Sequence, residues 1–362
     1  MVIPLFIPLL PTSAELMPYL EAIDLARNYS NFGPMVSRLH SELAEYFGVE
    51  ENHLVTLTNA TLALEGAIQT SSNSETEWST PSWTFTATNL AIEKCHVQYQ
   101  FHDVDQEWRL NNTNLKSSIL DVCAFGDTLD LTRLNCANRT ILVDAAASFP
   151  ALRGCGVELS TYSSPVGVVV SFHPTKILPG AEGGVFISNS SQWVEEVKSW
   201  SRFGMKTGSR ISEHIGTNAK MNEYQASVIL ASMEKFQTLE ERWHKIHNQA
   251  RQVSKDLKLE VHPAMKRGFL STYWIIESSS SFIDLIELSS NEKTIQTRRW
   301  WEYGCHKMPA FSRIRAETLV NTERIAASTI GLPFHIFMRD HDFEEIYEFL
   351  HTLKSRFSIH ES

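Results

Sequence analysis

Val168-Val169-Val170-Ser171-Phe172-His173-Pro174-Thr175-Lys176 begins as an uninterrupted β-branched run and ends on a proline and a lysine. Such a run, bounded by turn residues, predicts a strand covered on both faces. Ile177-Leu178-Pro179-Gly180 and the pair Gly183-Gly184 then predict a turn, and Gly184-Val185-Phe186-Ile187 a second strand. Upstream, Ile141-Leu142-Val143 is another short strand, ending on Asp144. Further out, Leu54-Val55-Thr56-Leu57 predicts a strand and Thr58-Asn59-Ala60-Thr61 a small polar turn. Leu62, Leu64, Ala67 and Ile68 follow at helical spacing. Trp83 to Ala91, after a Pro-Ser start, and the strand Val97 to Val104 repeat the pattern in kind. Strands alternating with helices predict an α/β fold with a central, mostly parallel sheet between helical layers.

Other helices are expected at Pro34 to Phe47, where Gly48 supplies the cap, at Gln192 to Trp200, and from Asn222 to about Ile246. Beyond the last of these the composition changes to basic-apolar strands, a Ser278 to Ser281 loop and a final helix around Phe343 to Leu353. The division is placed near residue 245, giving a large domain over 1–245 and a smaller α+β domain over 246–362. Met1 to Leu10, apolar but broken by Pro4 and Pro8, reads as a buried extended segment.

Composition narrows the function classes. The chain has 362 residues, 43% of them hydrophobic, with a formal charge of -10 and no Lys/Arg run, which argues against a nucleic-acid partner. No apolar segment is long enough to predict a membrane span. Five scattered cysteines without C-x-x-C spacing fit a reduced, cytoplasmic compartment. The P-loop pattern is missing, and Gly154-Cys155-Gly156 lacks the third glycine of a dinucleotide fingerprint. His335, Asp340, His341 and Asp342 show no convincing metal-ligand spacing, and no orienting acid stands out for Cys305-His306. No metal is expected.

Four places then stand out, each beyond the end of a strand: Ala60-Thr61, Phe85, Asp144, and Ser171 through Lys176. In open α/β sheets, ligands bind outside the carboxyl ends of strands. Singly, Asp144 reads as a helix cap, Lys176 as a solvated lysine and Phe85 as core. Together they match the needs of pyridoxal phosphate (PLP): an amine, a carboxylate for the pyridine nitrogen, an aromatic face and a phosphate cup. Small residues and a hydroxyl at a helix start, Ala60-Thr61, suit that cup, with Ser171 as a further hydroxyl.

At this point the chain resembles the DegT/DnrJ/EryC1/StrS sugar aminotransferases. The resemblance rests on Asn31-Phe32-Gly33-Pro34, Thr58-Asn59-Ala60-Thr61-Leu62-Ala63-Leu64, Thr84-Phe85-Thr86-Ala87-Thr88 and Asp144-Ala145-Ala146. It continues through Ser171-Phe172-His173-Pro174-Thr175-Lys176, Glu182-Gly183-Gly184 and Gly216-Thr217-Asn218-Ala219-Lys220-Met221-Asn222-Glu223. It implies an aspartate-aminotransferase-like architecture (PLP fold type I), with Lys176 carrying the cofactor and acting as the catalytic base. It likewise implies that Asp144 pairs with the pyridine nitrogen, Phe85 stacks on the ring, and Ala60, Thr61 and Ser171 hold the phosphate. Asn218 would reach the phosphate of a second subunit, making a homodimer with shared sites.

The chain departs from the family pattern at Ala147, where Gln or His is common, and at Asn218-Ala219-Lys220, where Asn-Tyr-Arg is usual. The implied reaction moves an amino group from glutamate to a nucleotide-linked keto-deoxysugar, dTDP-4-keto-6-deoxyhexose foremost, as in O-antigen synthesis. A 3-keto-sugar aminotransferase, another PLP reaction and a non-enzymatic regulator are the alternatives. Lys220, Arg298, Arg299 and His306 are the candidate substrate contacts, and Trp300 and Trp301 serve either as stacking surfaces or as packing.

Overall fold

The computed structural model describes residues 2–72, 76–134, 136–292 and 294–360. Helices α1 (Ser13–Ala26) and α2 (Pro34–Phe47) precede β1 (Leu54–Leu57), α3 (Ala60–Ser71), β2 (Glu77–Pro81), α4 (Thr86–Lys94) and β3 (Gln98–His102). Then come β4 (Ser118–Val122), β5 (Thr140–Asp144), α5 (Gly156–Leu159), β6 (Val166–Ser171), β7 (Gly184–Ser188), α6 (Ser191–Trp200) and the long α7 (Glu223–Asp256). The last third holds β8 (Glu260–Val261), α8 (Pro263–Lys266), β9 (Trp274–Glu277), α9 (Ser280–Glu292), β10 (Arg315–Ala316), α10 (Val320–Ser328), β11 (Thr329–Leu332) and α11 (Asp340–His360).

The large sheet runs β1-β7-β6-β5-β4-β2-β3-β10, and a small one runs β11-β9-β8. In the large sheet β7 is antiparallel to both neighbours, while the pairs from β6 to β10 are parallel. Side chains alternate across a strand, and here each face feeds a separate core. Ile141, Val143, Val168 and Val170 point into one cluster with Val36 and Leu39 of α2 and Ile229 and Leu230 of α7. Leu142 and Val169 point into another with Leu64 and Ile68 of α3, Ile92 of α4 and Val197 of α6. Burying one such aliphatic side chain contributes about 1.5–3 kcal/mol. The layered fold with a mostly parallel sheet is therefore the expected one, and Gly48 caps α2 at φ 68° in the left-handed region.

Three expectations change. The long helix continues to Asp256 because Ile246, Ala250 and Ser254 keep its buried stripe going, so it runs through the 245 division. Ser278 to Ser281 is a helix start, not a loop: the Phe282 N–H bonds to Ser279 Oγ at 3.4 Å, opening α9. Of the N-terminal segment, Ile3 is buried and held by Thr294 and Gln296, but Val2, Ile7 and Leu10 are exposed; Met1 lies outside the described residues. Helix α1, overlooked in the sequence, begins with a Thr12/Glu15 capping box. No helix among the described residues is long and apolar enough to cross a membrane.

Candidate active site

The strand directions bring the carboxyl ends of β1, β2, β5 and β6 and the start of β7 to one edge. Asp144 ends β5 there, 7% exposed. Its Oδ2 accepts a 2.7 Å hydrogen bond from the Thr88 hydroxyl, and its Oδ1 a 3.1 Å bond from the Ala146 N–H. Thr88 pairs in turn with Thr84, one turn away at the start of α4. Burial raises the Asp144 pKa; Thr88, Ala146 and the nearby Lys176 charge pull it the other way. A carboxylate has room for about four acceptor bonds, so Asp144 retains capacity for a cation.

Lys176 lies in the loop between the antiparallel strands β6 and β7. The Phe172 N–H bonds to the Gly183 carbonyl and the Gly180 N–H to that of Phe172, closing the loop. The Lys176 backbone N–H bonds to the carbonyl of His173. Its half-buried amine donates to the Tyr273 hydroxyl at 3.1 Å.

The start of α3 forms a cradle of donors. Asn59 caps the Leu62 N–H, leaving those of Ala60 and Thr61 at a positively polarised helix end. Gly184 presses against this turn so closely that a side chain there would meet the Ala60 nitrogen at 2.6 Å. Ser171, 7% exposed, pairs across to Gly184. Phe85, at the N-cap of α4, is 58% exposed, an unusual state for a phenylalanine at the mouth of a buried polar site.

Asn218 is exposed and accepts from Lys220 Nζ at 2.5 Å; the ammonium also sits 4.6 Å from the Phe203 ring centre. Burial, then Arg202, lowers the Lys220 pKa. This segment joins the same edge, since the Thr58 N–H bonds to the Ala219 carbonyl and Lys220 pairs with Leu57. His306 is anchored to Ser82 beyond β2, with Nδ1 2.6 Å from Oγ, and faces Glu323; burial lowers its pKa. Exposed Arg298 lies over the Trp300 ring at 4.8 Å. Arg299 turns away, its guanidinium spent on Asp284 and Glu287 of α9. Trp300 and Trp301 are packing: Trp301 stacks on Phe125 at 4.3 Å, and Trp300 meets Phe6 and Tyr273 edge-on. Ala147 packs against this aromatic cluster.

Two contributors escaped the sequence reading. Thr88 carried a weak signal, a hydroxyl four residues after Thr84. Tyr273 carried none, because it comes from the segment leading into β9, 97 residues from Lys176. The segment that presents it is pinned at consecutive residues: His247 Nε2 to the Ser271 carbonyl at 2.9 Å, Thr272 Oγ1 to the Thr175 carbonyl at 3.0 Å, and His262 Nε2 to the Tyr273 carbonyl at 3.2 Å.

His262 Nε2 faces the Tyr273 carbonyl and so carries the ring proton, whereas His247 Nε2 lies between the Ser271 carbonyl at 2.9 Å and the Ser271 N–H at 3.1 Å; neither buried Nδ1 has a hydrogen-bond partner among the described residues. Burial accordingly lowers His247 from 6.5 to about 4 and His262 from 6.5 to about 3. Between those values and 6.5 the unfolded chain binds more protons, so stability rises with pH. It is complete above 6.5 and falls by about 2 kcal/mol per histidine by about pH 5. Thermal midpoints should decline from pH 7 to pH 5, less steeply in His247→Gln; a flat profile would refute this account.

A buried carboxylate with spare acceptor capacity, an amine, a helix-start donor cup and an exposed ring meet the needs of pyridoxal phosphate together, and on this fold they define a PLP-dependent enzyme of fold type I. The DegT/DnrJ/EryC1/StrS aminotransferase family model matches residues 12–351, and the chain belongs to that family. It is 26% identical over 371 aligned positions to a dTDP-4-amino-4,6-dideoxy-D-glucose transaminase of Shigella dysenteriae, covering 97% of this chain and 99% of that protein. A GDP-perosamine synthase of Vibrio cholerae is 22% identical over 80% of this chain and 82% of its own. Among solved structures, DesI crystallised with its TDP-sugar product superimposes with a TM-score of 0.85 at 24% identity, over 100% of this chain and 97% of that one. The protein is an aminotransferase, and its cofactor is pyridoxal phosphate.

Proposed function

We propose that this aminotransferase moves an amino group from glutamate to a nucleotide-linked keto-deoxysugar, with dTDP-4-keto-6-deoxyhexose as the acceptor. The full-length match to the Shigella dysenteriae transaminase is the observation that carries the sugar. In this reading residues 1–245 bind the cofactor, residues 246–362 form the smaller domain, and the enzyme works in the cytoplasm.

Bound pyridoxal phosphate supplies an electron sink for the carbon that gives up its proton. Around it the side chains would divide the work. Lys176 Nζ holds the cofactor and, once free, takes and returns that proton. Asp144 keeps a proton on the ring nitrogen through a charge pair in a dry setting. The Ala60 and Thr61 N–H groups, with the Thr61 and Ser171 hydroxyls, bind the phosphate, and Phe85 covers the ring. Lys220, Arg298 and His306 are the cationic or polar groups for the nucleotide. Arg299, already paired with two carboxylates, is left out of that set.

A homodimer completes the site. Asn218 is exposed, and Ile211 and Ile215 in the loop before it are 72% and 92% exposed, which fits a surface covered by a second copy. The test incubates PLP-loaded protein with 15N-glutamate and a panel of dTDP-, UDP- and GDP-linked keto sugars, with mass detection. A 15N-labelled amino sugar from the dTDP-4-keto-6-deoxyhexose supports the proposal. Label in another sugar, or in none, overturns the substrate.

A further inference from the structure

Tyr273 is built into the protein more firmly than a packing residue needs. Its ring is 8% exposed and is met edge-on by Phe125 and Trp300 at 5.2 Å each and by Phe6 at 6.2 Å. Rings on several sides limit the swing of the phenol. Its backbone belongs to the Ser271-Thr272-Tyr273 segment tied to His247, Thr175 and His262. The Thr175 tie is made by the residue next to Lys176, so the two segments that present the phenol and the amine are locked to each other.

The hydroxyl lands 3.1 Å from Lys176 Nζ, with the ring centre 5.6 Å away. Among the described residues it is the only side-chain hydrogen-bond partner of that amine. A phenol carries both a donor and an acceptor. It accepts from the amine when that is an ammonium and donates to its lone pair when it is neutral. Few side chains can hold an amine through both states, and an alkyl group such as that of Ala147, on the same aromatic cluster, can hold neither.

We propose that Tyr273 is a positioning residue for Lys176, holding the free amine at one place in the site while it gains and loses its proton. The inference rests on the reading of Lys176 as the cofactor-bearing base. It also ties the segment that leads into β9 of the small sheet to the loop between β6 and β7 of the large one.

Tyr273→Phe keeps the ring and deletes the hydroxyl. In cofactor-free protein, both states of the amine lose a stabilising partner, so Lys176 should react faster with an amine-acylating reagent. Peptide mass spectrometry should read a rise of about fivefold or more, with Lys220 unchanged as the internal control. In the PLP-loaded protein kcat should fall about tenfold to a hundredfold while KM for glutamate moves by less than about threefold. Tyr273→His, which keeps a donor and an acceptor on a ring, should recover part of both effects. A purely structural tyrosine would leave Lys176 labelling at the wild-type rate in Tyr273→Phe, and that result overturns the proposal. If borohydride fails to fix the cofactor to Lys176 in the unaltered protein, the underlying reading has failed instead.

Discussion

Lys176→Ala is expected to lower turnover by at least about three to four orders of magnitude, because it removes the amine that both holds the cofactor and moves the proton. Lys176→Arg should be equally inactive, since a guanidinium stays protonated and cannot serve as base. The protein itself should survive either change. Lys176 is half-buried in a loop, and deleting its hydrogen bond to Tyr273 costs about 1 kcal/mol. The measurement is steady-state formation of amino sugar, together with borohydride reduction and mass spectrometry of the Lys176 peptide. Reduction should attach cofactor to the unaltered protein and to neither variant. Retention of more than about a tenth of the activity by Lys176→Ala would rule out the assigned role.

The second large effect concerns charge at Asp144. Asp144→Asn preserves the shape and leaves an oxygen for Thr88 or Ala146, but removes the negative charge opposite the ring nitrogen. Loss of a preorganised electrostatic group of this kind costs about a hundredfold to a thousandfold in kcat. Stability should move the other way. Burial raises the Asp144 pKa, which marks the ionised form as costly in the cofactor-free fold. The cofactor-free Asn variant should therefore unfold at an equal or higher temperature than the unaltered protein, while its loaded form is nearly inactive. A variant that loses stability and keeps activity would show that Asp144 is a structural cap for the Ala146 turn.

How much of this was legible beforehand varies with how local the signal is. Val168 to Val170 and Ile141 to Val143 announce covered strands, and the structure divides their alternating side chains between two cores. Asp144, Ala60 and Ser171 could be picked out because each stands at or just beyond the carboxyl end of a strand, where chain geometry alone sends it to one edge of the sheet. The missed pieces depended on partners that no local pattern names, or on residues whose local signal is ambiguous. Arg299 looked like a free cation until α9 brought Asp284 and Glu287 beside it. Ser278 to Ser281 looked like a loop because serine favours turns and helix caps alike. Glu223, part of a recognised motif, turns out to cap α2 through the N–H groups of Met35 and Val36, a structural task.

What the sequence by itself determined is the fold class, through the periodicity of its strands and helices, and the family, through the motifs that resemble it; it also singled out Lys176, Asp144 and the Ala60-Thr61 turn as candidates, because each lies close to the end of a strand. What only the tertiary structure decided is the company these groups keep. Thr88 on Asp144 and Tyr273 on Lys176 join residues 56 and 97 positions apart, and the pinning by His247 and His262 spans 24 and 11. Hydrogen bonds of about 3 Å between such elements depend on how helices and sheets pack, and packing is a property of the whole core that no local pattern encodes.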